Sequence, residues 1–150
     1  MFVIHKSDDI NYYTKKMEIL RFFKPKQKKQ FVSEADFILN QHKQFRTATE
    51  SLVSLRDAEI EEEDELKIDY FFYTDDLEKS RKLEREIQKI GYIVNHEPTS
   101  QNKNLFVIAG RTTEMKMMYE TLNKWIREMT ELGYKHDCRF DSWKIAPDQN

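Results

Sequence analysis

Cysteine is almost missing from this chain: Cys138 is the only one in 150 residues. No internal disulfide can form, so the expected setting is a reducing one, the cytoplasm. Glycine and proline are scarce as well, with three of each, which leaves little material for long loops and favours a helix-rich domain. No apolar run approaches the ~18 residues of a membrane span, and the apolar part of Met1 to Lys6 is too short for a secretory signal. Neither stable membrane association nor secretion is expected.

What the chain has in quantity is charge, 35% of its residues against 39% hydrophobic. A chain of this length can bury roughly two thirds of its unfolded surface, so a real core is available. The net charge of −2 conceals a polarity. Residues 1–56 carry 11 Lys or Arg against 6 Asp or Glu, whereas residues 57–150 carry 14 against 21. A uniformly basic nucleic-acid binder and a uniformly acidic DNA mimic are both excluded by that split.

The strongest periodic signal runs from Thr113 to Leu132. Met115, Met118, Leu122, Trp125, Met129 and Leu132 follow one another at steps of 3, 4, 3, 4 and 3, which predicts a helix with one continuous apolar face, closed by Gly133. Leu66, Ile68, Tyr70 and Phe72 alternate with Lys67, Asp69, Phe71 and Tyr73, the period of a strand. Asp75 with Glu78 opens an expected helix through Ile90, closed by Gly91. Strands are expected over Tyr92 to Glu97, over Asn104 to Gly110 and within Tyr134 to Ile145. From Leu66 the order is strand, helix, strand, strand, helix, strand. This predicts an α+β ferredoxin-like βαββαβ sandwich, a four-stranded antiparallel sheet with two helices on one face.

Upstream, Asp8 or Asp9 caps an expected helix from Ile10 to about Phe23, Pro25 ends it, and Lys24, Lys26, Lys28 and Lys29 form a basic run beside Phe22, Phe23 and Phe31. Ser33 and Asp36 open a helix from about Glu34 to Arg56, expected at the domain edge, where it is one means of covering the second sheet face. Seven of the nine residues from Asp57 to Glu65 are acidic, including Glu61, Glu62, Glu63, Asp64 and Glu65. Such a run reads as a solvated linker or as a grip for a basic partner. The expected divisions are residues 1–32, a basic extension with a short helix; 33–65, a helix and acidic linker; and 66–150, the sandwich domain.

No nucleophilic triad, phosphate loop or Gly-x-Ser-x-Gly elbow is present, and His5, His42, His96 and His136 are dispersed. His136 and Cys138, expected on one side of a strand, are too few to hold a metal. No catalytic residue, metal or cofactor is therefore expected. RNA could stack on Phe71, Tyr73 and Phe106, but the net charge of the acidic half repels phosphate. Protein binding is the better fit. Trp143 and Asp141 are expected to alternate to one side of the last strand, forming with Phe71 and Tyr73 an aromatic patch with an acidic rim.

The segment Ile68 to Tyr73, the helix ending at Gly91-Tyr92 and the closing run Tyr134-Lys135-His136-Asp137-Cys138-Arg139-Phe140-Asp141-Ser142-Trp143 resemble the RraB family of ribonuclease E regulators over about residues 50–145. Ser142 departs from that pattern, which has Gly there. The resemblance implies a non-catalytic protein that binds and inhibits an endoribonuclease. An immunity-type inhibitor of a nuclease toxin on the same scaffold is the alternative, with an RNA-binding module behind it. Neither the identity of the partner nor the oligomeric state follows from the residues.

Overall fold

The alternating segment is the centre of the fold. In the computed structural model, which describes residues 29–149, it forms strand β2 (Ile68–Thr74), with Ile68, Tyr70, Phe72 and Thr74 fully buried and Asp69, Phe71 and Tyr73 only partly so. Strand β4 (Phe106–Arg111) and strand β6 (Arg139–Ile145) flank it, and strand β3 (Ile93–Pro98) lies outside β4. Every pairing is antiparallel and the order is β3-β4-β2-β6. That is the arrangement of a ferredoxin-like sandwich, as the element order predicts.

Helix α2 (Leu77–Ile90) and helix α3 (Tyr119–Lys135) pack on one face of the sheet. Leu83 and Ile87 from α2, and Leu122, Trp125, Ile126 and Met129 from α3, join Tyr70, Phe72, Ile108 and Phe140 in one buried cluster. Gly91 ends α2 as expected, in the left-handed conformation at φ 95°, which glycine adopts without a Cβ penalty.

Helix α3 departs from its sequence reading at both ends. It starts at Tyr119 and not at Thr113, because Met115–Lys116 forms a short strand, β5, paired with β1 (Glu65–Leu66). Gly133 does not close it either. That residue lies inside the helix and is buried, and a Cβ there would sit 2.7 Å from the Cys138 carbonyl oxygen and 2.8 Å from Phe72 Cε1. The missing side chain allows α3 to approach the sheet. The chain reverses at Asp137, φ 55°.

Helix α1 (Glu34–Asp57) is capped by Ser33, whose Oγ accepts the Asp36 N–H at 3.1 Å. It does not cover the second sheet face; it lies beside α3 and along the β6 edge. Gln41 donates to Thr130 Oγ1 at 2.8 Å, and the Phe37 and Tyr134 rings stack at 4.5 Å. Asn40 Nδ2 donates to the Phe140 carbonyl at 2.6 Å and Gln44 Nε2 to the Asp141 carbonyl at 2.8 Å. Two side-chain amides thus occupy acceptors along a sheet edge that would otherwise invite another strand. The expected Ile10 to Phe23 helix, and Lys24, Lys26 and Lys28, lie outside the described residues.

Candidate protein-binding surface

The sheet face turned away from α2 and α3 is built by register. Residues directly opposite each other on paired strands share a face, so three rows cross it. Arg111, Asp69 and Lys144 form the first, Ala109, Phe71 and Ser142 the second, and Val107, Tyr73 and Arg139 the third. Ile93, Asn95 and Glu97 continue these rows on β3. Phe71 has only Ala109 and Ser142 beside it, side chains too small to cover an aromatic ring. A depression of about 320 Å³ lies next to it, lined by Asp69, Phe71, Ile93, Ala109 and Arg111 among others. Ile93 is 75% exposed.

Charges of both signs surround this aromatic ridge, where the sequence reading has an acidic rim. Arg111 holds Asp69 through two guanidinium nitrogens, at 2.6 and 3.1 Å, and Asp148 through a third at 2.8 Å. Asp69 first and Asp148 second push its pKa further up. Arg139 and Lys144 are exposed, and Arg139 pairs with Asp141 at 3.2 Å. Asp141 therefore reaches this surface at its β6 edge, beside the row that carries Tyr73.

Trp143 is not on this face. A bulge shifts the β2–β6 register, so that Phe71 faces Ser142 while Phe72 faces Phe140. The extra residue puts Phe140 and Trp143 both on the helix side. Trp143 is 7% exposed, and its ring meets Trp125 edge to face at 5.8 Å. Alternation counted without the bulge sends it to the wrong side. Phe106 also faces the helices, opposite the buried Thr74, which leaves Phe71 and Tyr73 as the open-face members of the base-stacking set.

The acidic run is not part of this surface. It forms the turn from α1 into β1, where Asp64 Oδ2 accepts the Glu61 N–H at 2.7 Å and Glu63 pairs with Lys116 at 2.7 Å. Glu61, Glu62 and Glu65 are exposed. His136, Asp137 and Cys138 occupy the turn after α3 instead of a strand. Burial pushes the Cys138 thiol up to about 12, far from the depressed value of a nucleophilic cysteine. Burial also lowers the pKa of His136, against the pull of Glu86. His96 lies against Glu84, on the helix side of β3. No group of three potential metal ligands occurs among the described residues. No helix among them is long and apolar enough to cross a membrane.

The roles of Asn40, Gln44 and Asp137 are not legible in the sequence, because each acts on backbone groups distant along the chain. Residues 46–145 match the model of a family described as RraB, Regulator of ribonuclease activity B. The chain belongs to the RraB family. The matched span opens in the middle of α1 and ends at Ile145, the last residue of β6, so the RraB model covers the whole four-stranded sheet. No curated protein matches the chain.

Proposed function

We propose that this protein is a non-catalytic regulator that binds an endoribonuclease of the ribonuclease E type through the helix-free face of its sheet. Phe71 and Tyr73 are the anchors, and Asp141 is a charged contact at the margin. The observation that carries the reading is the ridge itself: two aromatic side chains on the central strand, half-buried, with no helix over them among the described residues. Aromatic anchors ringed by charged side chains suit a protein interface. Membership of the RraB family supports a ribonuclease as the regulated enzyme.

The mode of action is occupancy, with this chain supplying no reacting group. Arg111, already bound to Asp69 and Asp148, offers a pre-ordered charge at one end of the ridge, and Arg139 with Asp141 a second at the other. Charges placed this way steer and orient a partner more than they tighten it. Capture of purified ribonuclease E on the immobilised full chain tests the proposal. Wild type retains the enzyme and slows its cleavage of RNA; Phe71→Ser/Tyr73→Ser weakens retention by at least about tenfold while its unfolding transition stays cooperative. Equal retention by both proteins, or none by wild type, overturns it.

A further inference from the structure

The C-terminal turns of α1, the acidic turn and the start of α3 form a second surface, which the sheet face does not use. Val53 is 59% exposed and Tyr119 53%. With Leu52 they give an apolar floor to a groove of about 360 Å³, whose walls include Arg56, Asp57 and Glu62. Arg56 is a strut here: its guanidinium donates to the Ile60 carbonyl at 2.8 Å and the Met117 carbonyl at 2.5 Å. The turn is fixed at its other end by the β1–β5 pairing and within by the Asp64 to Glu61 bond.

Carboxylates outnumber cations around the groove, where Arg56 is a cation of the wall and its guanidinium is turned to the Ile60 and Met117 carbonyls. Asp57, Glu59, Glu61, Glu62 and Glu65 are all exposed, and among the described residues no cation lies within ion-pair distance of any of them. Lys116 is held by Glu63. These carboxylates are fixed close together by the folded turn, so their repulsion is not relieved by spreading, and the C-terminal end of α1 adds negative potential beside them. A cationic segment would relieve that repulsion, and an apolar side chain within it would cover Val53 and Tyr119.

We propose that this groove docks a lysine- or arginine-rich segment of a partner protein, with an apolar residue seated on Leu52, Val53 and Tyr119 and its cations spread over Asp57, Glu61 and Glu62. The inference rests on reading the chain as a protein-binding regulator, and it adds a contact separate from Phe71 and Tyr73.

A short fluorescent peptide of arginine and leucine, titrated against the full chain by anisotropy, provides the test, with a glutamate and leucine peptide as control. The basic peptide binds wild type, and more weakly at about 300 mM than at about 50 mM salt. Asp57→Asn/Glu61→Gln/Glu62→Gln and, independently, Val53→Ser each weaken it about tenfold, while Phe71→Ser/Tyr73→Ser leaves it unchanged. Equal affinity for the charge-neutral variant, or loss only on the Phe71 and Tyr73 change, overturns the proposal. Two other occupants would also overturn it: the chain's own basic run, seen as tighter peptide binding by Lys24→Gln/Lys26→Gln/Lys28→Gln, or a second copy, seen as a dimer that the peptide dissolves. The ribonuclease capture keeps the two readings apart. Peptide binding at the groove without ribonuclease capture sinks the functional reading alone, and ribonuclease capture by a chain whose groove variants bind the peptide normally sinks the groove alone.

Discussion

Lys79 Nζ lies 2.6 Å from Asp137 Oδ2 and 2.7 Å from Asp75 Oδ1, so a single ammonium on α2 ties the turn after α3 to the loop before α2. Asp137 also accepts the N–H groups of Phe31 and Val32, each at 2.8 Å, which fixes the chain as it enters α1. Burial acts to raise the Asp137 pKa, but the Lys79 ammonium and the two N–H groups outweigh it and hold the carboxyl below its usual range. A carboxyl depressed in the folded state contributes stability that is present above its unfolded value of ~3.9 and is lost as the pH falls through the folded value. Asp137→Asn tests this, because Asn tolerates the positive φ; it removes the charge and also turns one of the two accepting oxygens into an NH2 that faces a backbone N–H. It is expected to cost about 1–3 kcal/mol at pH 7 in urea unfolding, with the gap to wild type closing as the pH drops below about 4. A gap that does not vary with pH would remove the charge from this account.

The burial of Trp143 separates stability from binding. Trp143→Ala removes a ring packed against Trp125 and is expected to cost about 3–5 kcal/mol, the range for a large aromatic in a core. Phe71→Ala, on the helix-free face, is expected to cost under about 1 kcal/mol. Urea midpoints of the two variants, measured side by side, decide the matter: a small loss for Trp143→Ala would return that residue to the list of surface anchors.

The architecture was legible where a pattern is local. The alternation around Tyr70 and Phe72, the glycine that closes α2 and the order of elements from Leu66 suffice for a βαββαβ sandwich, because each signal lies within one turn or one strand. The failures share one cause, which is contact at long range. Met115 and Met118 keep helical spacing, yet Met115 is drawn into a strand by Leu66. Gly133 looks like a helix stop, yet it is a place where Phe72 comes close. Trp143 looks outward until the bulge at Asp141 is known. Of the expected aromatic patch, Phe71 and Tyr73 were legible because β2 is regular, and Trp143 was not because β6 is irregular.

The amides of Asn40 and Gln44 guard the β6 edge, so removing them should both destabilise the fold and expose a strand. Asn40→Ala/Gln44→Ala leaves the Phe140 and Asp141 carbonyls without these donors, and a lost bond of this kind costs about 1 kcal/mol, or up to ~3 where the acceptor stays dry. The expected outcome is a lower urea midpoint together with faster amide exchange along β6 and a greater tendency to associate at high concentration. Unchanged exchange in β6 would show that the α1–α3 contact alone holds the edge.

Gly133 and Gly91 should respond to alanine for opposite reasons. Inside a helix, Gly133→Ala would ordinarily gain about 1 kcal/mol from propensity, but the new Cβ overlaps the Cys138 carbonyl and the Phe72 ring. The overlap is expected to prevail, with a net loss of about 1–3 kcal/mol. At Gly91 nothing lies within 4 Å, and the strain comes from φ 95° alone, for an expected loss of about 1 kcal/mol. A double-mutant cycle with Phe72→Leu distinguishes the two. Shrinking the ring relieves one of the two overlaps at Gly133→Ala, giving a coupling of at least ~0.5 kcal/mol, whereas Gly91→Ala with Phe72→Leu is additive. Additive behaviour at Gly133 would mean that the Cys138 carbonyl, not the Phe72 ring, sets how near α3 can come to the sheet.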